Sequence, residues 1–237
     1  MPSSFSGFPT AGLQFLKSLK RNNRREWFQP RKHLYEEHVK EPMLTLVAAV
    51  NRELARFAPN YITDPKKALF RIYRDTRFSN DKTPYKTHVA AYFSRRGSDG
   101  ISSGGYYVSV SADSVEIAGG LYHPGPETLL DVRNHIANHY QELQQLLSNK
   151  NTRKLTGDLS GDRLQRMPKG FLPDHPAADY IKMKDWFYDV TLPPAIAATP
   201  KLLTETVARF RAMSALIDFL NAPLQPKKRA AVKHHTF

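Results

Sequence analysis

A chain of 237 residues with 41% hydrophobic and 11% aromatic residues can bury a full core and is too apolar for general disorder. It contains no cysteine, which excludes disulfides, a thiol nucleophile and thiolate metal ligation. Its net charge of +13 points to an anionic partner or to a solubilising surface.

The charge is not confined to one end. The tail holds Lys227, Lys228, Arg229 and Lys233, but residues 17–40 carry eight cations against Glu26, Glu36 and Glu37, and residues 66–87 carry seven against Asp75 and Asp81. A basic body is therefore expected beneath the tail. The opening MPSSFSGFPTAG lacks the basic and apolar regions of a signal peptide, and no apolar run approaches the roughly 20 residues that span a bilayer. These features predict a cytoplasmic protein with no membrane partner, built as one domain over residues 1–222 with a disordered basic tail at 223–237.

The first third is helical. Thr10 is placed to cap a helix carrying Leu13, Phe15, Leu16 and Leu19, and Asn22-Asn23 to end it. A second apolar stripe keeps the helical period from Arg25 to Ala58, with Pro30 and Pro42 expected to start, kink or divide it. The middle third changes period. Ala68–Thr76, Thr87–Ser94, Tyr106–Ala112 and Val115–Tyr122 are short Tyr-, Phe-, Val- and Ile-rich runs separated by turn residues, which predicts an antiparallel meander. Gly125-Pro126 opens another helix with a stripe from Leu129 to Leu147. Residues 150–175 are polar, basic and broken by glycine and proline, with MPKGFLPDHP reading as an irregular surface segment, Met183–Leu192 as a fifth strand, and the segment after Thr199-Pro200 as a final helix. The pattern is α+β: an antiparallel sheet of four to five strands with helices packed against it.

The segments SGFPTAGLQFLKSLKRNNRREWF, LFRIYRDTRFSNDKTPYKTHVAAYF, GGYYVSV and IAGGLYHP, taken together, resemble the bacterial and fungal family of uncharacterised proteins called DUF2461. The resemblance runs from Phe8 to about Phe219, and the RDTRFSNDKTPYKT block is its most specific part. It implies a single domain and transfers no activity, cofactor or catalytic role to any position. The polar stretch Gly97–Gly105 departs from it as a variable loop.

The block Arg71–Thr87 carries the strongest chemistry. If Ala68–Thr76 is a strand, Leu69, Arg71, Tyr73 and Asp75 share one face, and Phe70, Ile72 and Arg74 share the other. Arg74 then follows two apolar residues inward, and a buried guanidinium requires an acceptor. Arg77, Lys82 and Lys86 surround the turn Ser79–Thr83, where amides and hydroxyls could cradle an anion and Pro84 and Tyr85 would stiffen the loop. Two readings stay open: a site for an anion such as a phosphate, and an internal network in which Arg71 pairs with Asp75 and Arg77 with Asp81.

Other features are weaker. Gly119-Gly120-Leu121-Tyr122-His123-Pro124 is either a bulge or a place of close approach for a ligand, with His123 its most useful side chain. His135 and His139 have metal-compatible spacing but no glutamate between them and no third ligand. NNRREWF at 22–28 is either core or a basic-aromatic surface. The chain has no P-loop, no GxGxxG before a helix and no GxSxG elbow. The candidate ligand-binding residues are Arg71, Arg74, Asp75, Arg77, Asp81, Lys82, Tyr85, Lys86 and His123, for a phosphorylated or otherwise anionic small molecule. Non-sequence-specific nucleic-acid binding through a basic surface is the alternative. A metal-assisted hydrolase using Asp75, Asp81, His88 and His123 ranks third. No cofactor is specified.

Overall fold

The computed structural model describes residues 5–77, 79–97 and 102–224. The basic tail from 225 onward and residues 98–101 of the variable stretch lie outside the described residues.

Helix α1 (Thr10–Arg21) begins after Pro9, so Thr10 is its first residue and not its cap. It ends at Asn22, whose amide reaches back to the Ser18 and Leu19 carbonyls without entering the left-handed region. The helical path from Arg25 is broken where the prolines fall. It runs as α2 (Arg25–Phe28), a 3₁₀ turn at Gln29–Arg31 holding Pro30, α3 (Lys32–Tyr35), a π turn at Glu36–Lys40, and α4 (Glu41–Phe57) with Pro42 in its first turn. Pro42 has no N–H to give to the carbonyl of His38 four residues back, and its ring crowds that carbonyl, so the helix widens just before it. The same carbonyl faces α1 at Gly12, where a Cβ would stand 2.1 Å from the His38 oxygen.

Asp64 caps the short α5 (Pro65–Ala68) by accepting from the Lys66 and Lys67 amides at 2.9 and 3.2 Å. This corrects the first expected strand. Ala68 is helical, and the following segment makes only isolated bridges, Leu69 to Ala91 and Tyr73 to Tyr85. The reason is local competition: the Asp64 cap draws the chain into a turn of helix, and Asp75 takes up the Arg77 amide at 3.2 Å.

The sheet contains β1 (His88–Phe93), β2 (Gly105–Ser111), β3 (Val115–Leu121) and β4 (Trp186–Leu192), antiparallel throughout and adjacent in sequence order. The fifth expected strand is thus the fourth of a four-stranded meander. The hairpin at Asp113-Ser114 closes by Ser111 N–H to the Ser114 carbonyl at 2.9 Å. Between β3 and β4 lie α6 (Pro126–Asn138), α7 (Tyr140–Leu147), α8 (Lys150–Thr156) and α9 (Ala178–Ile181), so the stripe expected to run unbroken to Leu147 bends at His139.

The last helix, α10 (Lys201–Asn221), lies on β3, where Gly119 lets Met213 and Ile217 approach. Val108, Val110, Val115, Ile117 and Trp186 are buried on that face. On the other face Glu116, Asp189 and Thr191 are exposed. Helices on one face and solvent on the other are a usual arrangement for an antiparallel sheet. Among the described residues no helix is long and apolar enough to cross a membrane.

Gly12 gives a test whose sign opposes helix propensity. Alanine in a helix interior normally gains up to about 1 kcal/mol over glycine. Here the added methyl meets a backbone oxygen that cannot rotate away, so Gly12→Ala should lower stability by about 1–3 kcal/mol in chemical denaturation.

Candidate functional site: a cationic loop beside the open sheet face

Residues 71–87 form a loop closed at its neck. The Arg74 amide donates to the Pro84 carbonyl at 2.9 Å and the Lys86 amide to the Ile72 carbonyl at 2.8 Å. Tyr85 fastens this neck to the helices. It is 1% exposed, its ring stacks on Phe28 at 4.1 Å, its amide donates to Asn23 Oδ1 at 3.0 Å, and its carbonyl accepts from Asn23 Nδ2 at 2.8 Å. Tyr85 therefore belongs to the core, where it anchors the loop and is not placed to touch a ligand at its surface.

Within the loop most charge is already matched. Arg74, with its side chain 27% exposed, donates to Asp81 and to Thr83 Oγ1. Arg77 holds Asp75 through Nε at 3.0 Å and Nη2 at 2.8 Å. Lys82 Nζ donates to the Thr76 carbonyl at 2.9 Å. The internal network exists, but with different partners from the expected Arg71–Asp75 and Arg77–Asp81. Closing the neck carries Asp81 back across the turn to Arg74, while Asp75 reaches its near neighbour.

The hydrogen bond from the Arg77 side chain, followed by that from the Arg77 amide, pulls Asp75 down to about 2. Asp81 is drawn down to about 2 by Arg74 first and then by the Thr83 amide. Both carboxylates are ionised at neutral pH. Their contribution is complete above the ordinary aspartate value and is lost as pH falls through about 2.

Arg71 and Lys86 are left over. Lys86 Nζ lies 4.9 Å from the centre of the Phe70 ring. Burial, and then repulsion from Arg71, lowers its affinity for the proton. Neither residue enters an ion pair among the described residues, and Asp75, within the field of Arg71, is already engaged by Arg77. His88 follows at the start of β1. It is pushed down by burial and by Lys86, against the opposing pull of Glu116.

From there the open sheet face continues. His88 pairs with Ser111, Ser109 donates to Glu116 at 3.3 Å, and Tyr107 faces the half-exposed Phe70 at 6.2 Å. The rim is cationic and the floor beyond it carries hydroxyls, two rings and Glu116. Phe70, Tyr107 and Glu116 were not singled out in the sequence. Their signal was the alternation of the strands, which puts Tyr107 and Glu116 on the uncovered face.

His123 is not part of this arrangement. It follows β3 at the other end of the sheet, more than five strand residues, about 17 Å, from the row of His88 and Ser111. Its φ is +48° and its amide donates to the buried carboxylate of Asp185 at 2.6 Å, with Nδ1 3.6 Å from the same oxygen. His135 and His139 stack at 4.4 Å, and among the described residues no group of three or more His, Asp or Glu side chains is placed to hold a metal ion.

Fold and site together define a class: an α+β protein with a four-stranded antiparallel meander covered by helices on one face, and a cationic loop at the rim of the open face. The chain belongs to the family described as conserved hypothetical protein (DUF2461), which it matches over residues 11–219. No curated protein and no solved structure matches it.

The two kinds of loop residue separate by experiment. Tyr85→Ala removes a buried ring and should cost about 3–5 kcal/mol of global stability. Arg74→Ala should leave the unfolding midpoint nearly unchanged while speeding amide hydrogen exchange in residues 76–83. Equal exchange in wild type and the Arg74 variant would show that the ion pair does not order the turn.

Proposed function

We propose that the protein binds a phosphate-bearing small molecule at the rim formed by Arg71, Lys86 and His88. The observation that carries this reading is the pair of mutually repelling cations, Arg71 and Lys86, in a loop whose other arginines are matched by acids. A dianion would neutralise both. Arginine offers a planar pair of donors, lysine a point charge, and His88 gains a proton more readily once an anion stands beside it. Phe70 and Tyr107 give an apolar wall for the organic part of the ligand.

A titration with inorganic phosphate, pyrophosphate and sugar and nucleoside phosphates, followed by calorimetry, tests the proposal. At least one should bind saturably, and Arg71→Ala or Lys86→Ala should weaken it about 10- to 100-fold, the usual cost of losing a charge-assisted bond. Arg74→Ala should have a smaller effect. The sign of the pH dependence follows from His88. An anion favours imidazolium, so binding of sulfate, a dianion that does not itself titrate in this range, takes up a proton and its affinity should rise as pH falls through the histidine range; a phosphate ester gains a proton of its own at about pH 6, which opposes that rise. Absence of saturable binding by every phosphate compound would overturn the reading.

Nucleic-acid binding is a second reading with its own support. The two hydrogen bonds between the Asn23 side-chain amide and the Tyr85 backbone bring exposed Arg24 and Arg25 near the loop, so cations from two distant segments lie on one side of the molecule. This reading requires oligonucleotide affinity that falls linearly with the logarithm of salt concentration.

A further inference from the structure

A second site of different charge lies across the molecule, on the helix-covered side of β4. A cavity of about 380 Å³ opens between α7, α8, α9 and β4. Its walls come from Gln144 on α7, Arg153 on α8, Asp158, Arg163, Tyr180 on α9 and Tyr188 on β4. Gly157, with φ +72°, ends α8 and turns the chain so that Asp158 returns onto Arg153. The contact is a pair of N–H bonds to Asp158 Oδ1, 3.0 Å from Nε and 2.7 Å from Nη2. Beyond it the chain follows the outer edge of β4, with Ser160 bridged to Phe187 and Arg163 to Met183, which brings Arg163 to the cavity.

The charges in the wall can be added up. Arg153 and Asp158 cancel, and Arg163, exposed at the mouth of the cavity, enters no ion pair among the described residues. Both phenols remain protonated donors. Tyr188 is pushed up to about 12, mainly by burial and then by the field of Asp158, and burial likewise pushes Tyr180 up, ahead of the field of Tyr140. The wall therefore offers one net positive charge, a planar guanidinium and neutral donors.

We infer that this cavity binds a small molecule through a single carboxylate, held by Arg163 and the tyrosine hydroxyls. A phosphate dianion would leave one negative charge unmatched there, whereas a carboxylate matches the guanidinium in both charge and shape. The cavity volume suits a compact organic acid.

The test uses the full chain and four probes: acetate, propionate, benzoate and inorganic phosphate. Binding is followed by NMR of the tyrosine rings, and competition between probes ranks them. At least one carboxylate should shift the Tyr180 and Tyr188 signals saturably and more tightly than phosphate does. Arg163→Ala should weaken that binding about 10-fold or more, and Tyr188→Phe, which keeps the ring, should weaken it by a smaller factor. Arg71→Ala should leave it unchanged, which separates this site from the loop. If phosphate is preferred at these rings, the charge argument is wrong. If no probe shifts them below about 10 mM, or if Arg163→Ala binds carboxylates as well as wild type, the assignment of the cavity is overturned.

Discussion

One-sided burial of the sheet is the constraint on which the rest depends. Helix α10 lies close on β3 because Gly119 offers no side chain where Met213 and Ile217 arrive. That contact fixes which alternate residues point inward, and a one-residue slip of β3 would turn Glu116 into the core. The register that buries Val115 and Ile117 therefore also sets Glu116 beside Ser109 and Tyr107 on the open side. The outer face is a consequence of core packing, and its polar groups require no separate structural explanation.

The loop at 71–87 depends on that frame through Tyr85. Two like charges held near each other at a surface cost on the order of 1 kcal/mol. Burial of one large aromatic side chain, together with the Asn23 pairing and the neck bonds, is several times larger. The loop can thus keep Arg71 and Lys86 close in the absence of any partner. An anion bound there, as proposed, would meet cations already ordered by folding. The matched pairs Arg74–Asp81 and Arg77–Asp75 tie the turn to itself without adding net charge.

Much of this was legible in the sequence, and the failures have physical causes. Period and turn chemistry locate β1, β2 and β3 closely, and Pro30 and Pro42 mark the breaks in the long helical path. The strand expected at 68–76 fails because an aspartate cap and an Asx-type turn satisfy backbone groups that a ladder would otherwise use. Ion-pair partners within the loop were not legible, since Asp81 reaches Arg74 only after Ile72 and Lys86 close the neck. Tyr85 was read as a loop residue because polar neighbours surround it, and its burial depends on Phe28 and Asn23, some sixty residues away. The cavity between α7, α8, α9 and β4 was not legible for a related reason: it is assembled from four elements, and no single stretch carries its signature.

Net charge, counted site by site, says more than the total of +13. Most cations in the loop are matched within a few residues, and Arg153 is matched by Asp158. Of the cations at the rim and at the cavity, those that enter no ion pair among the described residues are Arg71 and Lys86 at the rim and Arg163 at the cavity. Coulomb attraction grows with the product of the charges and favours a dianion at both places; what would separate them is the desolvation cost of a charge left unmatched, which a dianion meets only at the singly charged one. The fold keeps the two places apart, the rim beside the open face of the sheet and the cavity on its helix-covered side.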